Sequence, residues 1–215
     1  MVPPRGRVEG GGPEGIILAV IHDLSGLRGP VLVTGATGFI GRRIVERLLA
    51  GGAAVSAFVL PGESVPEGWG ARVEVVRGDV PDAPPGARAK EGIGTVVHHA
   101  PVVGDRAPAS LFDRVTVRGT RHVLSAAAAA RARAVLASSV VVYGDSIGRD
   151  VCDEDHPFGR PLGLYGRSKQ AQELCARELA ASRGLEVVIV RPTNVFGPGS
   201  RPWVDPAGRG GRQPA

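Results

Sequence analysis

The sequence predicts an α/β fold built on a doubly wound parallel sheet with helices on both faces. Three observations carry that prediction. Short β-branched runs alternate with helical patterns between residues 30 and 199, and such alternation pairs strands in parallel through right-handed crossovers. A strand-like run, three spaced glycines and a helical stripe follow one another in "PVLVTGATGFIGRRIVERLLAGG". The 215 residues with 43% apolar content suffice for one domain with a core.

Taken in order, "PVLVTG" reads as a buried strand, and the helix after it carries Ile40, Ile44 and Leu48 on one stripe before Gly51 and Gly52 end it. "AAVSAFVL" is a second strand. In the third, "ARVEVVRGD", Val73 and Val75 alternate with Glu74. "GTVVHHA" is the fourth. An alanine-rich helix is expected from Ser110 to Ala132, followed by the strand "AVLASS", a loop, a helix through "GLYGRSKQA" and the strand "EVVIVRP". Residues 1–29, rich in glycine, proline and charge apart from "IILAVI", read as a flexible lead-in, and 200–215 as a disordered tail.

Composition excludes several classes. The formal charge of +5 comes from arginines scattered among 32 glycines and 18 prolines, with no basic run interleaved with aromatics, so nucleic acid is not an expected partner. Cys152 and Cys175 are too few for a disulfide framework and lack metal-ligand spacing. His98 and His99 are strand neighbours that point to opposite faces, a poor clamp, and no metal is expected. No apolar stretch approaches the ~20 residues of a membrane helix. "GIILAVI" is too short for a signal-peptide core with its cleavage site, so no membrane partner and a cytoplasmic location are expected.

The glycine turn is the most specific short signal. Gly35, Gly38 and Gly41 stand three apart where the first strand meets the first helix. One glycine allows the sharp turn, another lets a pyrophosphate approach the backbone, and the third lets helix and strand pack closely. The helix N-terminus then offers free N–H groups and the positive end of its dipole. Residues 30–199 are accordingly read as a dinucleotide-binding, Rossmann-like domain.

The chain resembles the extended short-chain dehydrogenases/reductases, the NAD-dependent epimerase/dehydratase family. "TGATGFIG" has the family's T-G-x-x-G-x-x-G form, and "RGDV", "VVHHAP", "FDRVTVRGTRHVLSAA", "ASSVVVYGD", "DEDHPFGRPLGLYGRSK" and "VRPTNVFGPG" follow in the family's order. The resemblance implies an NAD or NADP cofactor held by Gly35, Gly38, Phe39, Ile40, Gly41, Asp79, Val80, Ala100, Pro192 and Thr193, with Tyr165 and Lys169. It implies hydride transfer on a nucleotide sugar or a related hydroxyl or carbonyl compound. A free tyrosine, with a pKa near ~10, is a poor base at neutral pH, but a lysine one helical turn on favours the phenolate. Tyr165 is then the general base/acid and Lys169 its electrostatic partner. Ser139, four residues before Tyr143 as in the family, would hydrogen-bond the reacting oxygen, with Ser138 as the alternative; Asn194 would touch substrate. Relatives also pair subunits into homodimers through the helices that correspond to 110–132 and 165–183.

Several departures sharpen the reading. Family dehydratases carry an acidic pair after the active-site residue, and here Val140 and Val141 stand there, which favours epimerisation or simple oxidation and reduction. Leu60 occupies the usual place of the acidic residue that selects NAD, with Glu63 later in the loop and Arg42 and Arg43 near the turn, so NAD and NADP both stay open. Thr116 replaces an asparagine. Family members continue for about 100 residues beyond "GPG", a domain-sized piece that forms most of the substrate lobe. Most of that lobe is expected to be missing here, and a non-catalytic dinucleotide-binding protein is the alternative to an enzyme.

Overall fold

The computed structural model describes residues 24, 26–82, 92–99, 102, 107–198 and 200. The flexible lead-in expected over 1–29 and the disordered tail expected over 200–215 fall almost wholly outside these residues. The chain builds β1 (Val31–Thr34), α1 (Phe39–Ala50), β2 (Val55–Val59), β3 (Val73–Arg77) and β4 (Thr95–His98). A long helix, α2, follows through Ala109–Leu111, Phe112–Arg118 and Gly119–Ala129. β5 (Arg133–Ala137), α3 (Gly163–Arg183) and β6 (Val187–Val190) complete the order.

All six strands pair in parallel in the order β3-β2-β1-β4-β5-β6. The order reverses between β1 and β4, the switch point outside which α/β sheets bind ligands. Period-2 alternation sends Val31 and Val33 to one face, where they pack with Val45 and Leu48 of α1, and Leu32 to the other, against Leu124, Ala176 and Leu179 of α2 and α3. Leu24 and Leu27 pack against the α1 layer, and the Arg28 N–H donates to the Thr95 hydroxyl at 3.0 Å.

Two local expectations shift. In α1 the buried line is Gly41, Val45 and Leu48, with Ile40 and Ile44 half-buried, because the helix is seated through its closest backbone approach at Gly41. In β3 the buried valines are Val73 and Val76, and Val75 is 36% exposed. Both faces of the sheet are covered, and at its edge a strand buries whichever side chains the helices reach.

Candidate active site

The glycine turn has the geometry its residue types require. Gly35 adopts φ +62°, and a Cβ on Gly41 would stand 2.0 Å from the Gly35 carbonyl oxygen. Gly38 is the N-cap and brings no side chain to it, and no acidic residue stands in the first turn. The N–H groups of Phe39, Ile40 and Gly41 thus head a helix with no carboxylate competing for them. The three glycines bring no side chain of their own to this turn, which is the chemistry that close approach of a pyrophosphate requires.

At the neighbouring strand ends, Asp79 is half-buried, 3.8 Å from Arg114, and Val80 is buried with a methyl facing Gly119 of α2. Ala100 lies outside the described residues. At the end of β2, Glu63 folds back so that its carboxylate accepts the Leu60 N–H at 3.3 Å, and Arg77 donates to the Leu60 and Glu63 carbonyls at 3.3 and 2.9 Å. The strand end that reads as leucine in sequence therefore carries an acidic group in space.

β5 and α3 bring the proposed reactive groups to one end of the sheet. Ser139 caps the short 3₁₀ segment Val140–Ser146, its Oγ accepting the Val141 N–H at 3.4 Å, and is half-buried. Ser138 is turned inward and donates to Glu173 at 2.6 Å. Tyr165 lies half-buried in the first turn of α3. Lys169 is 1% exposed; its Nζ stands 5.9 Å from the Tyr165 ring centre and donates to the Ala137 carbonyl and to Gln172 Oε1, each at 2.8 Å. Ala137 ends the strand that leads to Ser139, so the lysine ties the helix to the serine's own strand. Burial lowers the Lys169 pKa to about 7, against the opposing charge of Glu173.

Beyond β6, the Pro192 carbonyl accepts the Val140 N–H at 3.1 Å, which couples that segment to the serine turn. Thr193 and Asn194 are exposed.

Beneath these residues lies a buried polar network that sequence reasoning missed. Glu173, 0% exposed, accepts from Ser138, from Arg191 at 2.9 and 2.8 Å and from Arg177 at 3.3 Å. Arg191 also donates to the Tyr143 hydroxyl, which in turn donates to the Asp153 carbonyl. The guanidinium's pKa is raised, first by its bonds to Glu173. The one signal available was Glu173's place a helical turn after Lys169. His98 is likewise buried, its pKa lowered to about 3 by burial and by the Lys169 charge, so it is neutral. Among the described residues no group of three His, Cys, Asp or Glu side chains could hold a metal, and no helix is long and apolar enough to cross a membrane.

Comparison with known proteins identifies the family. Residues 31–209 match the family model for the NAD dependent epimerase/dehydratase family. The chain is 37% identical over 184 residues to a dTDP-glucose 4,6-dehydratase of Streptomyces griseus, covering 78% of this chain and 55% of the relative. It is 34% identical over 175 residues to an undecaprenol-linked N-acetylglucosaminyl diphosphate 4-epimerase of Escherichia coli O157:H7, covering 80% and 50%. Among solved structures it resembles MoeE5 in complex with UDP-glucose and NAD, with a TM-score of 0.67, 36% identity and coverage of 81% and 57%. It also resembles a double mutant of DesIV, a dTDP-glucose 4,6-dehydratase from Streptomyces venezuelae with NAD and DAU bound, with a TM-score of 0.71, 34% identity and coverage of 80% and 58%. The chain spans about half the length of these curated relatives, 55% and 50%.

Proposed function

The chain belongs to the NAD-dependent epimerase/dehydratase family, and from that premise we propose that it binds NAD or NADP and transfers hydride at a hydroxyl or carbonyl carbon of a nucleotide sugar, in the cytoplasm. The observation that carries the reading is the bond from Lys169 to the Ala137 carbonyl, which holds the Tyr165 helix against the end of the Ser139 strand, while Gln172 of the same helix accepts a second N–H of the ammonium.

When bound, the nicotinamide supplies a site for hydride acceptance and return. The protein's own groups do the rest. The N–H groups heading α1, at Phe39, Ile40 and Gly41, hold the pyrophosphate, and Asp79 and Val80 flank the adenine end. Tyr165 Oη takes the substrate hydroxyl proton and gives it back. A protonated Lys169 and a Tyr165 phenolate favour each other by opposite charge. Ser139 donates to the reacting oxygen, Pro192 and Thr193 line the nicotinamide through backbone, and Asn194 contacts the sugar. Val140 and Val141 place no acid beside that oxygen, which favours epimerisation or redox chemistry over elimination of water. The proposal extends to a homodimer through 110–132 and 165–183; these helices already pack side by side, joined by an Arg121–Glu178 pair at 2.9 and 2.7 Å.

Titration of cofactor fluorescence with NADH and NADPH tests the binding step, followed by turnover of a panel of UDP- and dTDP-sugars. Tyr165→Phe is expected to keep cofactor binding and to lower turnover by roughly 10²–10⁴-fold, the usual worth of a general acid/base. Cofactor binding without turnover by the parent would favour the non-catalytic alternative, and no binding of either cofactor would sink the proposal.

A further inference from the structure

We propose that Gln172 is a positioning residue for Lys169, the inner end of a polarised brace of buried side chains that starts at the glycine turn's own strand. The inference rests on the role given to Lys169 above. The brace runs Thr34–His98–Thr120–Gln172–Lys169, and its members are between 0% and 1% exposed.

Counting donors fixes its direction. Thr120 has one hydroxyl proton and gives it to the Thr116 carbonyl, so its oxygen must accept from both neighbours. Those neighbours are His98 Nε2 at 2.9 Å and the Gln172 amide nitrogen at 2.7 Å. A neutral His98 that donates from Nε2 accepts at Nδ1, and the Thr34 hydroxyl stands there at 2.7 Å. The Thr34 oxygen in turn accepts the His99 N–H at 3.1 Å. With its nitrogen engaged by Thr120, Gln172 has only its oxygen to offer Lys169, and the ammonium is 2.8 Å away. The amide therefore has one satisfied orientation. Two of the three Lys169 N–H bonds are aimed, at Gln172 and at Ala137, which fixes the direction of the third. Because a carboxamide does not pass a proton at neutral pH, the chain acts as a brace and not as a proton wire.

An acceptor on a buried ammonium favours its charged form. The other ionisable groups facing Lys169 are Tyr165 and Glu173 on α3, His98 at the end of β4 and His99 just after it, with Arg191 behind Glu173; α2 presents the neutral Thr120 and β5 a backbone carbonyl. The test changes Gln172 and leaves these in place. The sequence has two lysines, Lys90 and Lys169, so ¹³C-lysine labelling gives two Cε resonances, which Lys90→Arg assigns. Titrated without cofactor, the parent Lys169 is expected near pH 7, from its pKa of about 7. Gln172→Leu removes the acceptor and moves the midpoint down by about one pH unit, a tenfold change in the protonation constant. Gln172→Glu keeps the shape, adds charge and moves it up. General loosening of the core does not send two variants in opposite directions. Both folded variants titrating with the parent overturn the proposal; if the leucine variant does not fold, an unmoved midpoint in Gln172→Glu does so alone. None of these readings needs cofactor or turnover, so failure of the proposed function stays separate.

Discussion

Glu173 shows what a single buried charge does for this site. It holds Arg191, Ser138 and Arg177 at once, and Arg191 is 11% exposed. Taking away one member of such a pair leaves the other charge desolvated and uncompensated, which costs about 3–5 kcal/mol. Glu173→Gln keeps the shape and one acceptor for Ser138 but removes the charge. It is expected to destabilise the fold by that order in urea denaturation, and Glu173→Leu paired with Arg191→Met should restore much of the loss. Neither residue stands out in the sequence. A glutamate among the arginines and glutamates of a helix reads as solvated surface, and only the fold shows that the strand beyond α3 returns Arg191 to it.

At the level of elements, the glycine turn is where sequence and structure agree most closely. A methyl at Gly41 would meet backbone, the Gly35 carbonyl, and backbone yields less readily than a side chain. Gly41→Ala is expected to cost about 2–4 kcal/mol and to weaken NAD binding in the same fluorescence titration, since α1 would have to withdraw from the strand. Every strand and the three long helices were legible because β-branched runs and helical stripes have different periods. α3 is the exception in kind. The sequence marked its tyrosine and lysine, but the helix buries Ser168, Lys169, Gln172 and Glu173 where an ordinary amphipathic helix buries leucines, so periodicity gives no account of its inner face. The π-helical stretch Phe112–Arg118 was also invisible. There the Gly119 N–H reaches five residues back to Arg114, and Thr120 spends its hydroxyl on the Thr116 carbonyl, a side-chain bond that competes with the regular ladder.

Across the whole molecule, His98, His99 and Lys169 all hold protons less readily folded than unfolded. Burial lowers them to about 3, about 4 and about 7 from 6.5, 6.5 and 10.5. The unfolded chain therefore binds more protons, and stability rises with pH. The histidines impose no penalty above 6.5 and a growing one as pH falls toward 3 to 4. The Lys169 penalty is full below about 7 and fades by about 10.5. Lys169→Met should therefore stabilise the fold by about 1–3 kcal/mol near pH 6, and by less near pH 10. Urea midpoints at the two pH values check the difference; an equal gain at both would refute the assignment.

The brace from Thr34 to Lys169 also sets the timing of assembly. Its members come from β1, β4, α2 and α3, spread over more than half of the chain, and the sheet neighbours that align them are far apart in sequence. Pairing of that kind is slow compared with helix formation, because long loops must close before any contact rewards them. A partly folded chain can hold much of its helix and still lack a placed lysine. Placing Lys169 thus waits on long-range strand pairing that helix formation alone does not supply.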